Sequence, residues 1–348
     1  MTAKKILLDV CAIRLILIIL LVLYHAFAIF CDGWTPLDNY PEPAAYWWIG
    51  KSAYSFMLEA FVFISGYVYG YQIYRNPEKL SLKAVVQSKL KRLILPSIIF
   101  STVYYLLFYD LGEPIWKIVY SILCGTGHMW FLPMLFWCFI FTFIAEKTGI
   151  RHIYIIMSAF VMVVISAVPL PLRLSSALYY FLFFYTGYLI KRKAWDVREL
   201  FSSRNTIASV SIYLCLFVGL TMLQSKYLGG GIQPTDIEIV NKGISIVIKT
   251  MIKLSIGFSG VIAMYSVTNH IIGQNSTMSQ ALIGMSSYCF GIYIYQQFIL
   301  KYLYYYTELP YAVSPYLLPW AGFAIALVLS FVLTYLTRKT KFGNMLIG

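Results

Sequence analysis

Charge is what this 348-residue chain has little of: Asp, Glu, Lys and Arg together make up 12% of it, about half of what a water-soluble domain carries. A chain so poor in charge cannot cover a compact body with polar surface, and 60% of its residues are apolar. Patterned cysteine is missing too. The six cysteines occur singly, with no Cys-x-x-Cys and no His/Cys cluster, so neither a metal nor a redox cofactor is expected. Cys11, Cys138, Cys215 and Cys289 fall inside apolar segments. Cys31 and Cys124 share one predicted side, where they could pair, and are read as free thiols. No run alternates apolar and polar residues between short turns, which argues against a membrane β-barrel. No repeat is visible, and no linker marks off a second, soluble domain, so one transmembrane domain over 1–348 is expected.

What the chain does have is a series of apolar stretches of roughly 17–25 residues, the length that crosses hydrocarbon as a helix. They predict an all-α polytopic bundle of about ten transmembrane helices, over 10–30, 53–73, 93–110, 128–145, 153–168, 176–190, 206–223, 254–272, 284–305 and 315–336. The first resembles a secretory leader, because Lys4 and Lys5 precede it and Ala26-Phe27-Ala28 mimics a cleavage site. It is too long for a leader core, and Arg14 interrupts it, so it is read as a retained helix.

The net charge is +13. In a soluble protein that excess would suggest a nucleic-acid partner; here topology explains it, and none is expected. With the N-terminus inside, eighteen lysines and arginines fall on inner segments and eight on outer ones. Both termini are therefore expected on the cytoplasmic side of a cell inner membrane. The acidic residues Asp32, Asp38, Glu42, Asp110, Glu113, Asp236, Glu238 and Glu308 all fall outside. The stretch 243–253 carries Lys249 and Lys253 four residues apart. It is read as an amphipathic approach lying on the outer face, because a span starting at 243 would bury Lys253 at costly depth.

An ionisable residue within a membrane helix is expensive, and it is a functional candidate for that reason. Three stand out. Arg14 and His25 lie eleven residues apart on the first helix. Eleven steps of about 100° overshoot three turns by only about 20°, so the two share a face, roughly 16 Å apart along the axis. Arg14 stands near the inner end and His25 in the outer half. The bland alternative is an inner-leaflet anchor and an interfacial hydrogen bonder. Glu59 shares a face with Gly66 and Gly70, a Gly-x-x-x-Gly close-packing pattern, so it faces protein. It is either a structural partner of another polar group or part of the chemistry. Lys83, Lys89, Lys91 and Arg92 form an inner cationic stretch, explained by topology alone or by phosphate binding. His128 and Trp130 open the fourth span from the outer side, and Trp130 reads first as an interface anchor.

Four blocks in order resemble the bacterial membrane acyltransferase-3 family: Arg14-x10-His25; FVFISGYVYG at 61–70; KLKRLILPS at 89–97 with HMWFLPMLF at 128–136; and SSYCFGIYIYQQFIL at 286–300. Relatives often carry Arg-x-x-Arg where Lys89 and Arg92 stand, a histidine where Gln296 stands, and Asp where Glu59 stands. Lysine keeps the charge but loses the bidentate fork. The resemblance implies O-acyl transfer, acetyl foremost, from cytoplasmic acyl-CoA to a hydroxyl of an envelope or surface polysaccharide, or of its lipid-linked precursor. It implies His25 as base, with Arg14 and Glu59 assisting. Arg14, Lys89 and Arg92 would hold the donor. Ser65, Gly66, His128, Trp130, Tyr293 and Gln296 would serve the acceptor side or helix packing. A transporter or flippase for a glycan or other polar metabolite is the alternative, but it should show repeats and paired broken helices. A scaffold without catalysis leaves Arg14 and His25 unexplained.

Overall fold

The computed structural model describes residues 7–38, 40–193, 203–227, 237–273 and 279–348. Lys4, Lys5, Arg198 and Asp236 lie outside them. All regular structure among the described residues is helical: Leu8–Ala26 (α1), Ala44–Tyr54 (α2), Met57–Arg75 (α3), Leu82–Lys89 (α4), Leu95–Phe108 (α5), Ile115–Leu123 (α6), Phe131–Lys147 (α7), His152–Ile165 (α8), Leu174–Arg192 (α9), Ser203–Tyr227 (α10), Glu238–Gly273 (α11), Ser279–Ser286 (α12), Cys289–Tyr305 (α13), Leu309–Ala312 (α14), Leu318–Arg338 (α15) and Lys341–Ile347 (α16). Each of the ten expected spans falls mainly on one of these, although two of them are interrupted. Six stretches are long and apolar enough to cross a membrane: Leu8–Ala26, Leu82–Phe108, Gly127–Lys147, Asn205–Lys226, Glu238–Ile271 and Leu318–Arg338. The expected spans through α3, α8, α9 and α13 are shorter or more polar.

α1 is the hub. It packs on α2, α3, α11, α12, α13 and α15, and Ile13, Leu17, Ile18 and Val22 are buried. The closest pairing is that of α3 with α9, and glycine makes it. A Cβ on Gly66 would strike the Phe184 carbonyl, one on Gly70 the Tyr188 carbonyl, and one on Gly187 the Phe63 carbonyl. The Gly-x-x-x-Gly pattern thus meets a reciprocal glycine, and two backbones approach as closely as small residues permit. α10 packs on α11 through Tyr213, Phe217, Ile252 and Ile256, with Trp48 and Phe56 against the same cluster.

The span expected at 93–110 is the outer part of a longer rod. Pro96 lacks an N–H, and its ring crowds the carbonyl four residues back. The chain relieves this by widening into one π turn, Leu90–Ile94, which carries Lys91 and Arg92. The span expected from 53 breaks between Tyr54 and Met57, so α2 is a separate helix. The span expected at 284–305 is split by Ser287 and Tyr288 into α12 and α13. α6, in a segment expected as an outer loop, exposes Ile115 and Trp116 in the manner of a helix lying at an interface. Cys31 and Cys124 are both buried, free thiols, as expected.

The largest correction concerns 243–253. There is no separate surface helix: Glu238–Gly273 is one continuous helix of 36 residues, roughly 54 Å long at 1.5 Å per residue. The cost that seemed to forbid this is met by a partner on α3. Lys253 Nζ lies 3.9 Å from Glu59 Oε1. The same ammonium stands 4.1 Å from the Tyr179 ring centre and 5.4 Å from that of Tyr180, so two aromatic faces also help to offset its desolvation. Glu59 is 2% exposed and also accepts from the Tyr179 hydroxyl at 3.2 Å.

That pairing predicts an asymmetry. Lys253→Met leaves a buried carboxylate without its cation and should lower thermal stability. Half of the lysine is exposed, which discounts the loss to about 1–2 kcal/mol. Adding Glu59→Gln should recover most of it. Melting of the purified variants in detergent checks this, and a double variant no more stable than Lys253→Met contradicts it.

Candidate active site

The last turn of α1 carries His25, 7% exposed. It is held from α13. His25 Nδ1 lies 3.0 Å from Gln296 Oε1, and Gln296 is fully buried. The Gln296 amide nitrogen donates to the Tyr293 carbonyl at 3.4 Å, which leaves Oε1 to face the imidazole. An amide oxygen only accepts, so His25 Nδ1 carries the proton and Nε2 the lone pair. No hydrogen bond reaches Nε2 among the described residues. Tyr304 closes the end of α1 by donating to the Ala26 carbonyl at 2.9 Å. The Trp34 indole is stacked on the imidazole, with ring centres 5.7 Å apart and planes 18° from parallel.

His128 enters from a short 3₁₀ turn, Gly127–Trp130. Gly125 at φ +80° and Gly127 at φ +57° turn the chain through the left-handed region that glycine adopts without strain. Arg173 pins this turn from across the bundle. Its Nε donates to the Cys124 carbonyl at 2.9 Å and its Nη2 to the Gly125 carbonyl at 3.3 Å. α13 supplies the remaining ties: Gln297 Oε1 accepts from the His128 backbone N–H at 2.8 Å, and the Tyr293 hydroxyl donates to the His128 carbonyl at 2.6 Å. The ring Nε2 of His128 donates to the Ile294 carbonyl at 2.9 Å. Its Nδ1 is buried without a partner.

The two imidazoles, 6.3 Å apart between ring centres, line one cavity of about 170 Å³ with Tyr24, Trp34, Tyr54, Trp130, Tyr293 and Gln297 among its walls. A larger, more open depression of about 500 Å³ is bounded by Glu146, Arg151 and His152 and shares no residue with it.

The other expected residues divide into those at the cavity and those away from it. Trp130 and Tyr293 line it, so Trp130 is a wall of the site rather than the interface anchor it resembles in sequence. Gln296 touches His25 from behind. Glu59 is not among the lining residues and bonds to neither His25 nor Arg14; its partners are Lys253 and Tyr179. Ser65 bonds back to the Phe61 carbonyl at 2.8 Å, and Gly66 is a packing residue. Toward the N-terminal end of α1, Arg14 makes no hydrogen bond or ion pair among the described residues. Arg92 is close enough to repel both Arg14 and Lys89, and among the described residues no carboxylate pairs with any of the three. Lys89 itself lies over the Phe139 ring at 3.8 Å and Tyr69 at 5.5 Å, a cation seated on aromatic faces. Trp34, Tyr54 and Gln297 carry no motif that sets them apart in the sequence.

A helical membrane bundle with a buried, tautomer-fixed histidine at one end of a helix and an unpaired cationic cluster toward the other is suited to group transfer. The sequence profile of a family described as an acyltransferase domain matches residues 8–339. The chain belongs to this acyltransferase-3 family and is a multi-pass membrane protein. No curated protein and no solved structure matches it.

The Arg173 staple makes a direct prediction. Arg173→Met removes two hydrogen bonds from a cation, each worth about 1.5–3 kcal/mol. Amide hydrogen exchange at His128, Met129 and Trp130 should quicken by about tenfold or more, while exchange in α1 stays unchanged. Unchanged exchange in the turn would show that α13 holds it without help.

Proposed function

We propose that this protein transfers an acyl group, acetyl in the simplest case, from acyl-CoA on the cytoplasmic side to a hydroxyl of an envelope polysaccharide or its lipid-linked precursor on the outer side. The chain then sits in the inner membrane with both termini in the cytoplasm, as the lysine and arginine bias requires. The observation that carries the reading is the state of His25: one nitrogen is fixed by Gln296, and the other is open beside a cavity.

The chemistry follows from that state. The acceptor hydroxyl gives its proton to His25 Nε2 as its oxygen attacks the thioester carbonyl. Imidazole suits the task, because its ordinary pKa lies near the working pH. The carbon–sulfur bond breaks, the ester forms, and the imidazolium returns the proton to the CoA thiolate. An acyl-histidine would divide the same transfer into two steps. Arg14 and Arg92, with no acidic partner, supply fixed positive charge for the phosphates of the donor, with Lys89 contributing more distantly from its aromatic seat. The pantetheine arm would run up the α1 face from Arg14 toward His25, roughly 16 Å. Glu59 holds α3 and α11 together and acts on the chemistry only through the fold. The walls of Trp34, Tyr54, Trp130 and Tyr293 offer aromatic faces to a sugar.

The test is release of CoA thiol from acetyl-CoA by purified protein with envelope glycan present. His25→Ala should lower the rate by at least about a hundredfold while elution on gel filtration stays unchanged. Gln296→Leu should lower kcat by about tenfold or more, because the imidazole then loses its fixed tautomer. Full activity of the alanine variant removes His25 from the mechanism.

Arg14→Lys separates donor binding from anchoring. Guanidinium makes planar, bidentate contacts with phosphate that an ammonium cannot. The lysine variant should raise the KM for acetyl-CoA by about tenfold at unchanged expression. A normal KM would leave Arg14 as an anchor in the inner leaflet.

A further inference from the structure

The two imidazoles at the cavity differ in a way that acyl transfer alone does not explain. His25 has one open lone pair, on Nε2, which the chemistry uses. His128 has another, on Nδ1, buried and without a partner. The residue is 6% exposed and lines the same cavity. Its tautomer is fixed as firmly as that of His25, because Nε2 donates to the Ile294 carbonyl. Nδ1 can therefore only accept. Leaving such an acceptor buried and unmatched is costly, and three ties from α13 and two from Arg173 hold it in place or steady the turn that carries it.

A hydroxyl has one proton. The hydroxyl that reacts donates that proton to His25 Nε2, so it has none for His128. The lone pair on Nδ1 needs a second donor, and the bound acceptor is the group positioned to provide it. Each O–H···N bond spans about 2.8 Å. Ring centres 6.3 Å apart on one cavity bring both imidazoles within reach of a single acceptor molecule.

We infer that His128 Nδ1 is a specificity-determining contact that accepts a hydrogen bond from a second hydroxyl, next to the one that is acylated, so that the site selects 1,2-diols over isolated alcohols. The inference rests on the acyl-transfer reading and narrows its acceptor. His128 takes no proton in the reaction; it chooses and orients the acceptor, and His25 remains the base.

The experiment uses the purified full-length chain in detergent, with acetyl-CoA as donor and either trans-cyclohexane-1,2-diol or cyclohexanol as acceptor. Ester is measured by mass spectrometry and thiol release is followed in parallel. The diol has two equivalent hydroxyls, so indifference corresponds to a kcat/KM ratio of about two. The wild type should exceed that ratio by about tenfold, the order of one hydrogen bond to a buried acceptor. His128→Ala should bring the ratio down to about two, by lowering kcat/KM for the diol about tenfold more than for cyclohexanol. A purely structural residue would lower both alcohols together. His128→Asn returns a carbonyl acceptor near the position of Nδ1 and should restore part of the preference. A wild-type ratio near two, esterification of neither alcohol, or an equal loss for both in the alanine variant overturns the inference. If the alanine variant does not fold, the wild-type ratio decides alone. Absence of any thiol release by the wild type would overturn the acyl-transfer reading instead.

Discussion

Polar groups inside a membrane bundle must be paired within the protein, since hydrocarbon offers them nothing, and one helix does most of that pairing here. α13 presents Tyr293, the Ile294 carbonyl, Gln296, Gln297 and Tyr304 along its inward side. Between them they hold the His25 ring, the His128 ring and backbone, and the last turn of α1. α13 is fixed in turn against α15, where Gly291 meets Thr334 so closely that a Cβ would collide. Sub-ångström placement of the His25 imidazole is a packing property, and it passes from α15 through α13 to α1.

The same rule explains α11. A lysine deep in a long apolar helix is untenable alone, and a buried glutamate on α3 is equally so. Each makes the other tolerable, with two tyrosine faces beside them. Such a pair adds little net stability, because desolvation consumes most of the attraction. Its contribution is register: α11 can dock on α3 at only one height without stranding a charge. Gly257, whose added Cβ would lie 3.0 Å from the Glu59 side chain, leaves room for the carboxylate at that height.

How much of this the sequence discloses depends on the range of the interaction. Helix existence comes from local apolar length, and every expected span falls mainly on a helix, with breaks inside two of them. The Arg14–His25 face and the Gly66–Gly70 contact are periodicities within single helices, and they are legible for that reason. What is not legible is pairing across the bundle. Lys253 looks misplaced until Glu59 is known to stand beside it. Trp130 looks like an anchor until the turn at Gly127 is seen to fold it inward. Gln297 has no sequence signal, because its function is set by a backbone N–H far away in the chain. The breaks at Ser55 and Ser287 have no proline beside them to announce them in the sequence.

Gln296 shows what such pairing does for chemistry. Where relatives often carry a histidine, this chain holds its His25 with an amide. An imidazole in that place could be donor or acceptor, and a proton gained there would reverse its role toward His25. The glutamine amide has no such freedom: its nitrogen is committed to the Tyr293 carbonyl, so its oxygen must accept. His25 is therefore held with its proton on Nδ1. The cost is that Gln296 cannot store or relay a proton. Under the proposed transfer, every proton then enters and leaves through His25 Nε2, on the cavity side, so the acceptor hydroxyl and the leaving thiolate use the same nitrogen in turn. A single-base exchange of this kind closes without help from solvent. That agrees with a site walled by aromatic rings, in which a water able to reach the thioester would waste the donor.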